Sequence, residues 1–213
     1  MKTRIVKLES KMEKMGKAVD LIVKAIHNKG VVVFPTESSY GIGCDATNEE
    51  ALRKVFELKG RGEQKSFPIL VSDKRMAKEY GEFSQEGEFL MEKYMPGPLT
   101  LVVNKKNNLP DLLSKEGIAI RIPSREVCRI IVQEAGLPLV GTSATTTESD
   151  QPLYKIIDVI EAFRDKVDVI LDAGDLPPLH PSTVIDVRTN PPKVLRDGQL
   201  ASKDLLRDLE KFK

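Results

Sequence analysis

The run Val31-Val32-Val33-Phe34 is the strongest constraint on how this chain folds. Four consecutive apolar residues sit between Gly30 and Pro35. A stretch this short, wholly apolar and bounded by two breakers, reads as a buried strand that Pro35 ends. Upstream, Met12, Met15, Val19, Ile22, Val23 and Ile26 recur at helical spacing, and Gly30 stops that helix. A helix feeding a buried strand is the unit from which α/β sheets are built.

The rhythm continues along the chain. Thr47, with Glu50 three residues on, forms a capping box opening a helix that carries Leu52, Val55 and Phe56. A strand is expected at 68–71. A helix from Ser84 buries Phe89, Leu90 and Tyr94, and strands follow at 99–103 and 118–122. A helix from Ser124 carries Val127, Ile131 and Val132. Then come a strand at 138–141, a helix at 156–163 and a strand at 169–171. Strands at 183–187 and 193–195 flank an Asn190-Pro191-Pro192 turn, and a helix at 205–212 ends the series. Several strand-to-strand links are too short for a helix, so some pairs must be antiparallel. The expected fold class is α/β: a mixed parallel and antiparallel, twisted open sheet with helices on its faces. With 213 residues and no long linker, one domain over 1–213 is expected.

Charge narrows the function classes. Lys plus Arg is 33 and Asp plus Glu is 32. That balance argues against broad electrostatic capture of nucleic acid, so any RNA site has to be a local patch. Cys44 and Cys128 are far apart, which suits two reduced thiols in a cytoplasmic protein rather than a disulfide framework or zinc site. Residues 1–10 alternate charged with apolar and do not resemble a signal peptide. No run approaches the ~20 apolar residues of a membrane span. His27, near a helix end, reads as a surface or capping residue; His180 lies in a proline-rich loop and carries no clear ligand signal.

Ligands of open α/β sheets bind where strands give way to loops. Four loops are unusual for plain connectors. Pro35-Thr36-Glu37-Ser38-Ser39-Tyr40-Gly41-Ile42-Gly43-Cys44-Asp45-Ala46 packs hydroxyls, an acid and glycines together. Lys59-Gly60-Arg61-Gly62 ends a helix. Pro96-Gly97-Pro98-Leu99-Thr100 precedes a strand, and Gly141-Thr142-Ser143-Ala144-Thr145-Thr146-Thr147 follows one. Taken singly, each has a plain reading. Lys59 and Arg61 suit a helix C-terminus electrostatically, Pro96-Gly97-Pro98 suits a turn, and the hydroxyl cluster suits a polar loop. There is no Gly-x-x-x-x-Gly-Lys-Ser/Thr phosphate loop. Gly41-Ile42-Gly43-Cys44-Asp45-Ala46 fits the relaxed dinucleotide fingerprint, but six residues separate it from the strand end, where the fingerprint needs its first glycine in the turn.

Together and in this order, the loops resemble the YrdC family of threonylcarbamoyl-AMP synthases. Residues 35–46 resemble the family's Pro-Thr-Glu-Thr-Val-Tyr-Gly-Leu-Gly-x-Asp-Ala. Lys59-Gly60-Arg61 resembles its Lys-x-Arg, and Pro96-Gly97-Pro98-Leu99-Thr100 its Pro-Gly-Pro-Leu-Thr. Arg121 stands at the arginine of its Val-x-Val-Arg-x-Pro strand, and Thr142-Ser143-Ala144 resembles its Thr-Ser-Ala-Asn loop. Ser182-Thr183-Val184-Ile185-Asp186 and Leu195-Arg196-Asp197-Gly198 match its last two motifs. The match takes the form without the longer members' extra C-terminal domain.

The resemblance implies a reaction. L-Threonine and bicarbonate form a carbamate, which attacks the α-phosphate of ATP and expels pyrophosphate. The adenylate then serves tRNA modification through a downstream threonylcarbamoyl transferase complex. Three anionic reactants call for preorganised cations and hydrogen-bond donors. By resemblance, Lys59, Arg61, Ser143 and Thr145 are the catalytic set, and Lys59, Arg61, Ser143 and Arg196 bind nucleotide. Thr36, Tyr40, Arg121 and Ser182 take threonine and bicarbonate. Mg2+ accompanies ATP, with no protein-held metal, and tRNA or double-stranded RNA is a further partner. The chain departs from the pattern in three places. Thr145 stands where the family has asparagine, Gly62 where it has proline, and Ser38-Ser39 where it has Thr-Val. The rival implied by the same resemblance is a non-catalytic RNA-binding module of this fold.

Overall fold

The computed structural model describes residues 2–9, 12–60, 66–147 and 149–212. Its strands form two hydrogen-bonded sheets, where the sequence reading expected one. The first contains β1 (Arg4–Lys7), β2 (Val32–Pro35), β3 (Tyr40–Gly43), β9 (Thr142–Ser143) and β10 (Val169–Asp172), in the order β1-β10-β2-β3-β9. The second contains β4 (Ile69–Leu70), β6 (Leu99–Lys105), β7 (Gly117–Arg121), β8 (Leu139–Val140), β11 (Thr183–Asp186) and β12 (Lys193–Arg196), in the order β12-β11-β6-β7-β4-β8, with β5 (Gly81–Glu82) paired to β6. Both are mixed. β2 runs parallel to β10 and antiparallel to β3, while β11 runs parallel to β6 and β7 antiparallel to it.

One stretch of chain joins the sheets. β8 pairs with β4, β9 pairs with β3, and only Gly141 lies between them. The Val140 N–H also donates to the Cys44 carbonyl at 2.9 Å, so the segment is flanked by strand-like backbone of both sheets. The open site described below forms along this seam.

The apolar run at 31–34 is explained by burial on both faces. Val31 and Val33 enter the main core with Ile42, Ile69 and Ile120, which draws on both sheets. Val32 and Phe34 enter a second cluster with Ile22 and Ile26 of α1 (Met12–His27) and Ile131 of α5 (Glu126–Ala135). A strand covered on both sides has no polar face to show, hence no alternation. The remaining helices are α2 (Glu49–Leu58), α3 (Lys74–Tyr80), α4 (Gln85–Tyr94), α6 (Ile156–Phe163) and α7 (Ser202–Phe212).

Some local expectations need correction. Asn48, not Thr47, caps α2, its side chain accepting from the Ala51 N–H at 3.1 Å. Thr47 instead hydrogen-bonds through its backbone N–H to Asp45 at 2.8 Å. Ser84 does cap α4, but α5 starts at Glu126 with no side-chain cap at Arg125. β1, β3, β5, β9 and α3 were not expected from the sequence. Among the described residues, no helix is long and apolar enough to cross a membrane.

Candidate active site

A cavity of about 750 Å³ opens beside the seam, with a pocket of about 40 Å³ next to it. Lys59, Arg121, Ser143, Thr145, Ser182 and Arg196 all line the larger space. Thr36 and Tyr40 line the smaller one, and Arg121 and Ser143 belong to both. Eight of the nine residues singled out from sequence therefore converge. The ninth, Arg61, lies outside the described residues.

Lys59 is the C-cap residue of α2, and Gly60 follows it with φ of +56°. That left-handed conformation costs glycine no Cβ clash and turns the chain away at once. Although it ends a helix, the lysine is only 7 % exposed. Its ammonium donates to the Ser143 carbonyl at 3.0 Å and to the Thr145 hydroxyl. Thr145 is itself 4 % exposed. A hydroxyl that accepts from an ammonium turns its own hydrogen to another acceptor, so Thr145 can relay a donor from the lysine into the cavity.

Arg121 ends β7 and is held on two sides. Its Nε donates to the Gly97 carbonyl at 3.3 Å, and its Nη2 donates to Glu37 Oε1 at 2.5 Å. The Pro96-Gly97-Pro98 turn thus serves the site as a fixed acceptor, and the Gly97 N–H ties it to the Ile122 carbonyl at 2.9 Å. Glu37 Oε1 also accepts from the Ser124 N–H at 2.9 Å. Burial pushes the Glu37 carboxyl up, but the Arg121 charge and the Ser124 N–H outweigh it and hold the group below the ordinary carboxylate value. Arg121 lines both the larger cavity and the small pocket.

Across the cavity, Arg196 donates from Nε to the Ser182 carbonyl at 3.0 Å and from Nη2 to the Ser182 hydroxyl at 3.1 Å. The Ser182 hydroxyl also meets Thr100 Oγ1 at 2.8 Å. Burial first, and the nearby Arg121 second, push the Arg196 guanidinium down. Two guanidiniums that repel each other across one cavity favour an anion between them. Gly198 makes this approach possible. A Cβ there would lie 2.2 Å from the Pro181 carbonyl oxygen, so only glycine lets residues 196–198 run against 181–183.

Two hydroxyls serve architecture. Thr36 Oγ1 donates to the Ser39 carbonyl at 2.7 Å and receives the Ser38 and Ser39 N–H groups at 3.2 and 3.3 Å. It closes the turn between β2 and β3. Tyr40 is fully buried, its hydroxyl donating to the Gly174 carbonyl at 2.7 Å and accepting the Ala173 N–H at 3.0 Å. Burial, with help from nearby Asp172, raises its pKa to about 12, so it is a neutral wall of the small pocket. Gly41 and Gly43 lie inside β3, antiparallel to β2, so they are not a dinucleotide turn.

Sequence reasoning passed over three wall residues. Ser38 lines both spaces, Glu37 holds Arg121, and His180 lines the larger cavity. Glu37 carried a signal, being the only charge in 35–44. His180 carried none. Both cysteines are buried with raised pKa values, mainly from burial, which fits inert thiols. Among the described residues, no group of three or more His, Cys, Asp or Glu could hold a metal.

The chain is similar to known proteins in sequence and in fold. A Methanocaldococcus jannaschii protein, named with a provisional qualifier as a threonylcarbamoyl-AMP synthase, is 31 % identical over 208 residues, covering 97 % of this chain and 99 % of its own length. The threonylcarbamoyl-AMP synthase of Idiomarina loihiensis is 32 % identical over 173 residues, 79 % of this chain and 91 % of that protein. The crystal structure of P. abyssi Sua5 complexed with L-threonine superposes with a TM-score of 0.85 at 28 % identity, over 97 % of this chain; this chain spans 60 % of that one. The Sua5/YciO/YrdC family model, described as "Telomere recombination", matches residues 24–198, and the chain belongs to that family.

Proposed function

We propose that this chain is a threonylcarbamoyl-AMP synthase, a nucleotidyltransferase making L-threonylcarbamoyladenylate and pyrophosphate from L-threonine, bicarbonate and ATP. The observation that carries the reading is one cavity with three cations at its wall, each braced by hydroxyls, carbonyls or a carboxylate. Threonine-named and synthase-named relatives of the same fold supply the substrate class.

Threonine's amine adds to the carbon of bicarbonate with loss of water, giving a carbamate. A carbamate oxygen then bonds to the α-phosphorus of ATP. The bond from that phosphorus to the bridging oxygen breaks, and pyrophosphate leaves with the electron pair. The protein's part is positioning and charge stabilisation. Arg121, which lines both spaces, holds the amino acid's carboxylate beside the small pocket walled by Tyr40 and the Thr36 turn. Lys59, with Ser143 and Thr145, faces the phosphoryl oxygens where charge builds in transfer. Arg61 belongs to the same role by its place in the motif. Arg196 and Ser182 hold the nucleotide from the far wall.

Magnesium is taken here as substrate-borne; among the described residues, no group of three or more His, Cys, Asp or Glu could hold a metal ion. In this reading it arrives with ATP, ligated by phosphates and water. The partners beyond the small molecules are tRNA and the transferase complex that consumes the adenylate, in the cytoplasm.

Threonine-dependent pyrophosphate release from ATP, in the presence of bicarbonate, tests the reading directly. ATP and threonine should each also raise the melting temperature by binding the native state. No pyrophosphate release and no thermal shift at millimolar ligand would replace the synthase with a non-catalytic module.

A further inference from the structure

We infer that Glu37 is a positioning residue for substrate capture, acting through Arg121 on the amino-acid side of the cavity. The inference rests on the reading of Arg121 as the group that holds the amino acid's carboxylate.

Glu37 sits in the turn between β2 and β3, yet it reaches across 84 residues of sequence to Arg121 and 87 to Ser124. Its side chain is 13 % exposed and that of Arg121 is 11 % exposed. A buried guanidinium needs its bonds satisfied in a fixed geometry, and a half-freed one swings toward the nearest acceptor or solvent. Here Nε is spent on Gly97 and Nη2 on Glu37, so the plane of the fork is set by two protein acceptors. The residue so held is part of the wall of both cavities. Arg196 adds a reason for the acid, since two neighbouring cations with no counter-charge would push each other apart before substrate arrives.

The carboxylate is used asymmetrically. Oε1 takes both the Arg121 and the Ser124 donors, while the buried Oε2 has no hydrogen-bond partner. Glutamine can therefore keep its carbonyl at the Oε1 position and place its amide at the Oε2 position. The orienting bonds survive; the charge is lost, and the buried amide gains donors with no acceptor at the Oε2 position. Aspartate, one methylene shorter, keeps the charge and loses the reach.

The experiment measures threonine KM and kcat by pyrophosphate release for wild type, Glu37→Ala, Glu37→Gln, Arg121→Ala and the Glu37→Ala/Arg121→Ala pair, with circular dichroism as the folding control. Glu37→Ala is expected to raise threonine KM at least tenfold while kcat changes less than threefold. Glu37→Gln should recover most of that loss. In the Arg121→Ala background, Glu37→Ala should have no further effect, because interaction through one partner is non-additive. Independent, multiplying losses in the pair, or an unchanged KM in Glu37→Ala beside a raised one in Arg121→Ala, overturns the positioning role alone. An unchanged KM in Arg121→Ala overturns the reading beneath it. If Glu37→Ala does not fold, Glu37→Gln against Glu37→Asp decides: glutamine should bind threonine better, and the reverse order overturns the inference.

Discussion

Two hydroxyl-rich segments line adjoining parts of the site, residues 36–39 and residues 142–145, and they spend their hydroxyls differently. Thr36 turns its hydroxyl inward and closes its own turn with four bonds to Ser38 and Ser39. Thr145 gives its hydroxyl to a cation from a distant helix, Lys59. Similar composition thus yields a scaffold on one side and a charge-bearing wall on the other. What separates them is the nearest charge. Glu37 anchors the first segment to Arg121, while in the second the Ser143 carbonyl and the Thr145 hydroxyl accept from Lys59. A hydroxyl beside a fixed ion pair is free to serve the turn; beside a lysine it becomes that lysine's seat.

The largest effect expected from this contrast is at Lys59. Lys59→Ala should cost about 3–4 kcal/mol in catalytic efficiency, the scale of one lost transition-state donor. Because the residue is buried, the same change strips a donor from Thr145 and Ser143, adding about 1–3 kcal/mol of destabilisation. Lys59→Met keeps the stem but not the donor, so it should recover the packing share of the stability while the unserved acceptors and the lost turnover remain. Near wild-type turnover in both variants removes Lys59 from the chemistry. Denaturant unfolding alongside steady-state kinetics reads both quantities.

Thr145 comes next. Thr145→Ala should lose roughly 1.5–3 kcal/mol in efficiency, the cost of one hydrogen bond to a charged group. Thr145→Asn should match or exceed wild type, because a carboxamide can accept from Lys59 and donate onward with longer reach. An inactive asparagine variant beside a fully active alanine variant would show that residues 143–145 do not correspond to the family's Ser-x-Asn.

How far the sequence revealed this contrast depends on the level asked. The strand at 31–34 was legible because its burial on both faces erased any polar alternation. α4 was legible from Ser84. β3 was not: its glycines at 41 and 43 argue against a strand locally, and pairing with β2 and β9 overrides that. α3 was missed because it buries little beyond Ala77 and shows no apolar stripe. The site residues were legible as motifs, since short polar loops at strand ends stand out from a hydrophobic frame. Their uses were not. Nothing local tells that Lys59 is buried or that Glu37 meets Arg121, because those partners are set by the sheet order.

Acid should act on the two segments unequally. The Glu37 carboxyl lies below its ordinary value, so its pairing stabilises the fold above the unfolded-state pKa of about 4.5 and is lost as pH falls through the lower folded value. Wild type should therefore be more stable than Glu37→Gln at neutral pH, and the two should converge in acid. A gap that persists unchanged down to pH 2 would mean the carboxylate adds nothing by its charge.

The smallest effect, and the sharpest discriminator of the two segments, is expected at Thr36. Valine has the shape of threonine without the hydroxyl. Thr36→Val removes one acceptor shared by two backbone N–H groups and one donor to the Ser39 carbonyl. The Thr36 backbone N–H still donates to that carbonyl at 2.9 Å, so the turn keeps a closing bond of its own. The loss should be about 1 kcal/mol, the usual net worth of an intramolecular hydrogen bond, which lowers the melting temperature of a chain this size by roughly 2–4 °C. Threonine KM should move less than threefold, since the hydroxyl's hydrogen points into the turn rather than at a ligand. Thr36→Ser, which keeps the hydroxyl and loses the methyl, should restore most of the stability. Were Thr36→Val instead to raise threonine KM more than tenfold at an unchanged melting temperature, the hydroxyl would have to leave Ser39 when substrate binds. The two segments would then be alike in function, each lending a hydroxyl to the reaction, and the division between scaffold and charged wall would fall.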